Sequence, residues 1–288
     1  MYVKKPDWLR VKHDGATVDR MNRLMSKLSL NTVCREANCP NMGECFKKNT
    51  ATFMILGSNC TRHCRFCNVT KEGALAPDPQ EPQNVAEAAG QLGLSHIVVT
   101  SVTRDDLPDG GAAHFAKTIE ALRQKLPKAT VEVLIPDFKG LEASLDSVIN
   151  ARPDVMGHNV ETVPSLYSRV RPEAQYRRSL EVLRYVKKAA PDIIAKTGIM
   201  VGLGENPVEV GQVMDDLVEV GCDILTVGQY LRPTLSHIEV AEYVTPRQFE
   251  EYKALGEEKG IRFVASSPLV RSSYNALEAL KEIRKEKV

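Results

Sequence analysis

Six apolar runs, rich in β-branched residues, recur along the middle of the chain: "TFMIL", "HIVVTSV", "VEVLIPD", "DVMGHNV", "IIAKTGIMVG" and "DILTVGQY". A stretch with helical spacing separates each run from the next, among them "QNVAEAAGQLG", "GAAHFAKTIEALRQKL" and "YRRSLEVLRYVKKAA". Strand starts fall roughly 30–45 residues apart, the rhythm of repeated βα units on a parallel sheet. The runs are apolar throughout rather than alternating, as strands covered on both faces should be. Six units indicate a barrel or partial barrel, with an open doubly wound sheet as the alternative. "IRFVASS" reads as one more short strand and "NALEALKEIRKEK" as a final amphipathic helix. Before them, "LRPTLSHIEVAEYVTP" has two prolines and no period, and reads as a long connection. In "TPRQFEEYKALGEEKG", Thr245 can cap a helix, Pro246 fits its first turn and Gly260 its end.

The chain has 288 residues and a net charge of +1, with 43% hydrophobic and 26% charged residues. That balance is ordinary for a globular protein with a sizeable core and argues against a general nucleic-acid or membrane-surface binder. No stretch approaches the roughly 18 apolar residues of a membrane span. The first residues carry no apolar run and do not read as a signal peptide, so a cytoplasmic location is expected.

Six of the seven cysteines lie within 34 residues, as two trios. In a reducing compartment such a cluster reads as metal ligation rather than disulfides. Cys222 stands alone in an apolar run and reads as a small buried side chain. "CTRHCRFC" is C-x3-C-x2-C, formed by Cys60, Cys64 and Cys67 just after the first strand. Three thiolates so close on one loop hold one polynuclear cluster and leave one iron of a 4Fe–4S cluster without a protein ligand. Zinc is the rival, but structural zinc takes four ligands, and His63 lies inside the loop between the cysteines. "CREANCPNMGEC" is C-x4-C-x5-C, formed by Cys34, Cys39 and Cys45. Six thiolates exceed the needs of one cluster, so two clusters are the simpler count.

The C-x3-C-x2-C loop after the first strand of a βα repeat resembles the radical S-adenosylmethionine (SAM) superfamily. The resemblance implies a partial (β/α)6 TIM-like barrel. It also implies a 4Fe–4S cluster on Cys60, Cys64 and Cys67, whose open iron chelates SAM; one electron then releases a 5′-deoxyadenosyl radical. The double trio resembles one family within it, the lipoyl synthases. That likeness extends through "FMILGSNCTRHCRFCNV", "TSVTRDDLPDGGA", "VEVLIPDFKG", "GHNVETV", "KTGIMVGLGE", "DILTVGQYLRPT" and "PLVRSSY", from residue 34 to residue 274. It implies a sulfurtransferase that inserts two sulfur atoms, at carbons 6 and 8, into a protein-bound octanoyl-lysine. Two SAM molecules are consumed per lipoyl group, and an auxiliary 4Fe–4S cluster is the sulfur donor. These C–H positions are unactivated, which excludes acid–base chemistry and requires a radical. Cys34, Cys39 and Cys45 would hold the auxiliary cluster. Read from sequence, Ser272 and Ser273 of "VRSSY" are turn or cap residues before the last helix. The resemblance instead makes Ser273 the fourth ligand and Ser272 its neighbour, and an oxygen is a weaker partner for iron than a thiolate.

The expected organisation is residues 1–50 as an N-terminal extension with the auxiliary-cluster cysteines, 51–232 as the barrel core, and 233–288 as a C-terminal extension closing that cluster. The implied partners are octanoylated lipoyl carrier domains (glycine cleavage H protein and 2-oxoacid dehydrogenase acyltransferase subunits) and an electron donor such as flavodoxin or ferredoxin, with no nucleic acid and no membrane. Parallel barrels carry their chemistry at the C-terminal ends of the strands. Asn159, Glu161 and Glu205 stand there as candidates for the SAM amino group and ribose hydroxyls, each with a bland reading as a loop residue. Phe66 is a candidate neighbour of the adenine, and His158 is the one histidine that stands out. Two other functions remain open on sequence grounds: an RNA methylthiotransferase of the same superfamily, and a non-catalytic iron–sulfur or zinc module.

Overall fold

Strands β2 (Thr52–Ile55), β3 (His96–Ser101), β4 (Thr130–Leu134), β5 (Val155–Gly157), β6 (Ile194–Val201), β7 (Ile224–Gln229) and β8 (Phe263–Ser266) pair in parallel, each with the next, in the order of the sequence. The computed structural model describes residues 5–10, 19, 23–36, 39, 41, 52–273 and 276–285. A strand order without reversal has no topological switch point, which excludes the doubly wound alternative. The sheet curls into an incomplete barrel, and among the described residues β8 does not pair back to its first edge. The six expected core strands are present, and "IRFVASS" supplies the seventh. β5 is shorter than the run "DVMGHNV" because its ladder ends early: the Val160 N–H is donated to the Thr197 hydroxyl at 3.2 Å rather than to a neighbouring backbone.

Helices α1 (Glu81–Gln91), α2 (Ala112–Lys125), α3 (Glu142–Asn150), α4 (Tyr176–Ala189), α5 (Pro207–Glu219) and α6 (Pro246–Glu258) cover the outside. Local chemistry sets their starts. Asn206 and Glu209 form a capping box on α5, with Pro207 in the first turn. Thr245 accepts the Gln248 N–H at 3.3 Å ahead of Pro246 on α6, as the sequence indicates. Strand residues alternate between the two faces. Phe53, Val99 and Val133 pack outward in the main helix-facing core, whereas Met54, Thr100, Leu134 and Glu132 border the lumen. There Lys196 of β6 reaches Glu132 of β4 at 2.6 Å, both nearly solvent-free.

Both ends of the chain complete this barrel. The short strand β1 (Asn31–Thr32) pairs antiparallel with β2, covering its edge. After β8 the chain turns into the lumen and descends it. Pro268 accepts the Gln229 N–H at 3.3 Å, Val270 lies against Gly228, and Ser272 against Gly198, which is paired with Thr226 lower in the sheet. Helix α7 (Ala276–Lys285) then stops the bottom of the barrel. Its Ala279, Leu280 and Ile283 pack on Val155, Ile194 and Ile224, the first residues of β5, β6 and β7. Ile283 is fully buried, so Ile283→Ala should cost about 2–5 kcal/mol, read by urea unfolding of the metal-free protein. A change below a few tenths of a kcal/mol would show that α7 is not part of the cooperative fold.

Candidate active site

The lumen and the upper strand ends enclose a cavity of about 520 Å³ that collects most of the residues singled out in the sequence. Cys60, Cys64 and Cys67 enter it from the loop after β2. That loop begins with a sharp turn at Leu56 and Gly57, both in the left-handed region (φ +68° and +87°). The strain at Leu56 is tolerated because its peptide is held on both sides. Its N–H is donated to the buried Glu81 carboxylate at 2.7 Å, and its carbonyl accepts from Arg104 at 3.3 Å. Arg62, between the first two cysteines, locks the loop to the next two strands. Its guanidinium meets Asp105 at 2.6 and 2.9 Å and Asp137 at 2.7 and 3.0 Å. Planar bidentate pairing of this kind fixes orientation as well as position. Arg62 holds the Asp137 carboxyl well below the usual range against the opposing effect of burial.

Burial raises the Cys64 thiol and pushes Cys67 up to about 12. Buried thiols of that kind become thiolates when they bind metal, so the trio fits a cationic iron cluster. Cys60 is prepared for negative charge: its Sγ accepts the Thr103 N–H at 3.3 Å and the Arg62 N–H at 3.5 Å. The segment 231–240 folds over this loop, with His237 Nε2 3.1 Å from the Cys67 carbonyl oxygen and the Ile238 N–H donated to Arg65 O at 3.2 Å.

Cys34 and Cys39 border the same cavity, as do Ser272 and Ser273. Cys45 lies outside the described residues. The Cys39 N–H is donated to Cys34 O at 2.9 Å, which folds that stretch back on itself. Two side-chain amides join it to the rest of the site. Asn68, beside Cys67, donates to Glu36 O at 2.8 Å, and Asn41 donates to Leu269 O at 2.6 Å across 228 residues of sequence. Cys34 and Cys39, the trio of Cys60, Cys64 and Cys67, and the two serines of "RSSY", far apart in the chain, thus converge on one space. Lys5 and Arg271 also border it, and burial, then the Arg271 charge, hold the Lys5 ammonium below its ordinary value. Two cations in one cavity suit an anionic occupant such as a thiolate-ligated cluster.

Asn159 and Glu161 are brought to the cavity, at the top of β5. Glu161 is left-handed (φ +66°) because its backbone is pinned to β6, donating to Gly198 O at 2.9 Å and accepting from Met200 N at 2.8 Å. Asn159 donates to Glu161 Oε1 at 3.1 Å and to Ser272 Oγ at 2.8 Å, while its own Oδ1 is buried with no hydrogen-bond partner. Arg171, buried below them, has an equally unused Nε–H. An orphaned acceptor and an orphaned donor on residues that line one cavity fit a zwitterion, the amino and carboxylate groups of a methionyl ligand. Glu205 is not brought to the cavity. Its carboxylate accepts the Gly202 and Leu203 N–H groups at 2.5 and 3.0 Å and braces that turn. His158 borders the cavity but spends both ring nitrogens on the fold, 2.9 Å from Ile135 O and 3.0 Å from Ser179 Oγ. Phe66 borders the cavity and packs beside Tyr230. Arg62, Arg171, Glu81 and Asn41 were not singled out as site residues in the sequence. Only Arg62 carried a signal, its place inside the cysteine loop.

Comparison with known proteins agrees with this geometry. The Radical SAM superfamily pattern matches residues 54–217. Lipoyl synthase from Caldanaerobacter subterraneus subsp. tengcongensis is 60% identical over 96% of this chain and 97% of its own length. Lipoyl synthase from Alkaliphilus metalliredigens is 54% identical over 97% of each chain. Among solved structures, the hydrogenase maturase HydG superposes with a TM-score of 0.61 at 14% identity, over 94% of this chain and 61% of HydG. Methylornithine synthase superposes with a TM-score of 0.53 at 13% identity, over 87% and 85%. At those identities the likeness is one of fold.

Two outcomes follow from the buried charges. Arg62→Ala leaves Asp137, 1% exposed, without its main counter-charge, and the metal-free protein should lose about 3–5 kcal/mol in urea unfolding. A loss under about 1 kcal/mol, the size of a surface pair, would show that the clamp is not a buried one. Burial lowers His158 to about 4, so its neutral form is the one that folds. An unfolded histidine takes up its proton near pH 6.5. Stability should therefore fall as pH drops from about 6.5 towards about 4, and His158→Gln should flatten that part of the profile. An unchanged slope in the variant would assign the pH dependence to other groups.

Proposed function

This chain belongs to the lipoyl synthase family of the radical SAM superfamily, and from that premise we propose how its residues divide the family's reaction among themselves. The reaction is the insertion of two sulfur atoms into a protein-bound octanoyl group, with two 4Fe–4S clusters and SAM as cofactors. The single observation that carries the assignment is that Cys34 and Cys39, Cys60, Cys64 and Cys67, and Ser272 and Ser273 border one cavity. Cys60, Cys64 and Cys67 hold the cluster that binds SAM. Cys34, Cys39 and Cys45, with Ser273 as the fourth ligand, hold the auxiliary cluster. Bound there, the cofactors supply a carbon-centred radical that takes hydrogen atoms from unactivated carbons, and sulfide to replace them.

The chain's own side chains do the rest. Asn159 and Glu161 receive the SAM amino group, and Arg171 meets its carboxylate. Arg62 holds the loop of Cys60, Cys64 and Cys67 still against Asp105 and Asp137. Met54, Val98, Val102, Leu134, Ile135 and Met200 give the cavity an apolar wall. The saturated carbons of an octanoyl chain laid along it are stabilised by about 0.8 kcal/mol per buried methylene, and beyond the amide they have no acceptor or donor to satisfy. The same wall keeps water away from a reactive carbon. The occupants of the mouth are an octanoylated lipoyl carrier domain and, separately, an electron donor such as flavodoxin or ferredoxin. Residues 1–50 and 233–288 act as the two extensions that complete the auxiliary site around the core of 51–232. No described helix is long and apolar enough to cross a membrane, and the location we propose is the cytoplasm.

Substitution at Ser273 tests the assignment, with an octanoyl-lysine peptide, SAM and a reductant under anaerobic conditions. Ser273→Ala should cleave SAM as the parent does and lower lipoyl product by about a hundredfold, the scale of a lost metal-site partner. Ser273→Cys should retain the cluster and also fail to release sulfur, because a thiolate binds iron more firmly than an oxygen does. Undiminished lipoyl product from both variants would remove Ser273 from the site.

A further inference from the structure

Two glycines of the barrel wall, Gly198 on β6 and Gly228 on β7, have no conformational reason to be glycine. Neither has a positive φ. Both face the lumen, in step with Lys196 and Met200 on β6 and with Thr226 on β7. Side chains at such positions ordinarily fill a barrel interior. What these two lack a side chain for is the descending segment after β8. A Cβ on Gly228 would stand 2.2 Å from the Val270 carbonyl oxygen and 3.1 Å from its carbon, a collision with backbone that no rotamer relieves. A Cβ on Gly198 would stand 2.6 Å from Thr226 Oγ1 and 3.1 Å from both Ser272 Oγ and Asn159 Oδ1. A strand glycine often marks close approach of another backbone, and here two on neighbouring strands mark the same one.

We infer that Gly198 and Gly228 form a groove that sets how deep the 267–273 segment lies in the barrel, and thereby positions Ser273 against the auxiliary-cluster cysteines Cys34 and Cys39. The groove fixes the segment at two heights. At the upper, Val270 seats on Gly228, one residue from Leu269, whose carbonyl takes the Asn41 amide at 2.6 Å. At the lower, Ser272 seats on Gly198 and accepts from Asn159 Nδ2 at 2.8 Å. Ser273 follows directly, with no slack between it and the second seat. The same contact couples the two halves of the site, since Asn159 serves the SAM side and Ser272 adjoins the auxiliary side. Gly198 and Gly228 are positioning residues, acting through Ser273, and the inference rests on the reading of Ser273 as a cluster ligand.

The test uses the full chain reconstituted anaerobically with iron and sulfide. Gly228→Ala lifts the segment off its seat. Iron should fall from about eight per chain to about four, SAM cleavage should stay within about twofold of the parent, and lipoyl product should fall by about a hundredfold, as for an ångström-scale misplacement. Gly198→Ala, obstructed only by side-chain oxygens, is the milder second variant. It should lower lipoyl product by about tenfold, with a smaller fall in SAM cleavage because its Cβ also nears Asn159 Oδ1, and adding Thr226→Ala, which removes the nearest obstacle, should restore part of the product. Parent iron content and product in either single variant overturn the inference. Loss of both clusters and of SAM cleavage together in Gly198→Ala also overturns it, because the glycines would then merely support the fold. Ser273→Ala separates the two readings. If it keeps eight irons and full product while Gly228→Ala loses them, the ligand assignment fails and the groove serves another residue of the segment.

Discussion

A parallel sheet that curls but does not close leaves an open lumen and two unpaired edges, and the rest of this molecule is arranged around that incompleteness. A closed barrel of this kind is filled by its own strand side chains and has no room for a polynuclear group. Here the lumen is emptied instead. Glycines stand at two wall positions, and small or polar residues such as Thr100 and Thr226 at others. The space is then taken by segments from outside the βα repeat. β1 covers the edge at β2 and delivers Cys34 two residues later, while the segment after β8 enters from the other side with its serines. Helix α7 stops the end where the strands begin. Chemistry is confined to the space between these additions and the cysteine loop.

The second requirement is that buried charge be held still. Arg62 with Asp137, and Lys196 with Glu132, are nearly solvent-free, and Asp105 joins the first pair from a partly exposed position. Such pairs contribute little net stability relative to apolar packing, because desolvation offsets their attraction. Their value here is geometric. A cysteine loop that begins with a strained Leu56 and carries raised thiol pKa values does not hold its own shape, and the guanidinium fork gives it one. The unused Asn159 Oδ1 and Arg171 Nε show the complementary case, polar atoms left for an occupant rather than for the fold.

Much of this was legible in the sequence because burial on both faces leaves a continuous apolar signature, which is why all six core strands were found. The cysteine spacings were equally plain, and Asn159 and Glu161 were legible as polar residues just past a strand end. Glu205 looked the same by that rule. Its carboxylate instead caps the amides of its own turn, where Gly202 is left-handed (φ +92°), and no spacing distinguishes the two fates. Arg171 and Glu81 were illegible for a different reason: their partners are set by tertiary packing rather than by a local pattern. The wall glycines escape the usual signals too, since a glycine kept for an approaching backbone has ordinary φ and sits inside an apolar run. "GIMVG" and "TVGQY" look like unremarkable strands until the 267–273 segment is laid against them.

The Asn41–Leu269 hydrogen bond joins points 228 residues apart in a chain of 288. A ribosome makes the second of these 228 residues after the first. The βα repeat can assemble by local steps as it emerges, each strand docking on the one before it. The cavity floor and its serine wall cannot, because the residues that form them are still unmade when the barrel is already curved. The site therefore takes its shape only once residues 267–273 are made, and until then the loop of Cys60, Cys64 and Cys67 faces a lumen without that segment. Metal delivered before then meets thiols without the segment that borders them, so the distance in sequence between the cysteines and the 267–273 segment also sets an order for assembly.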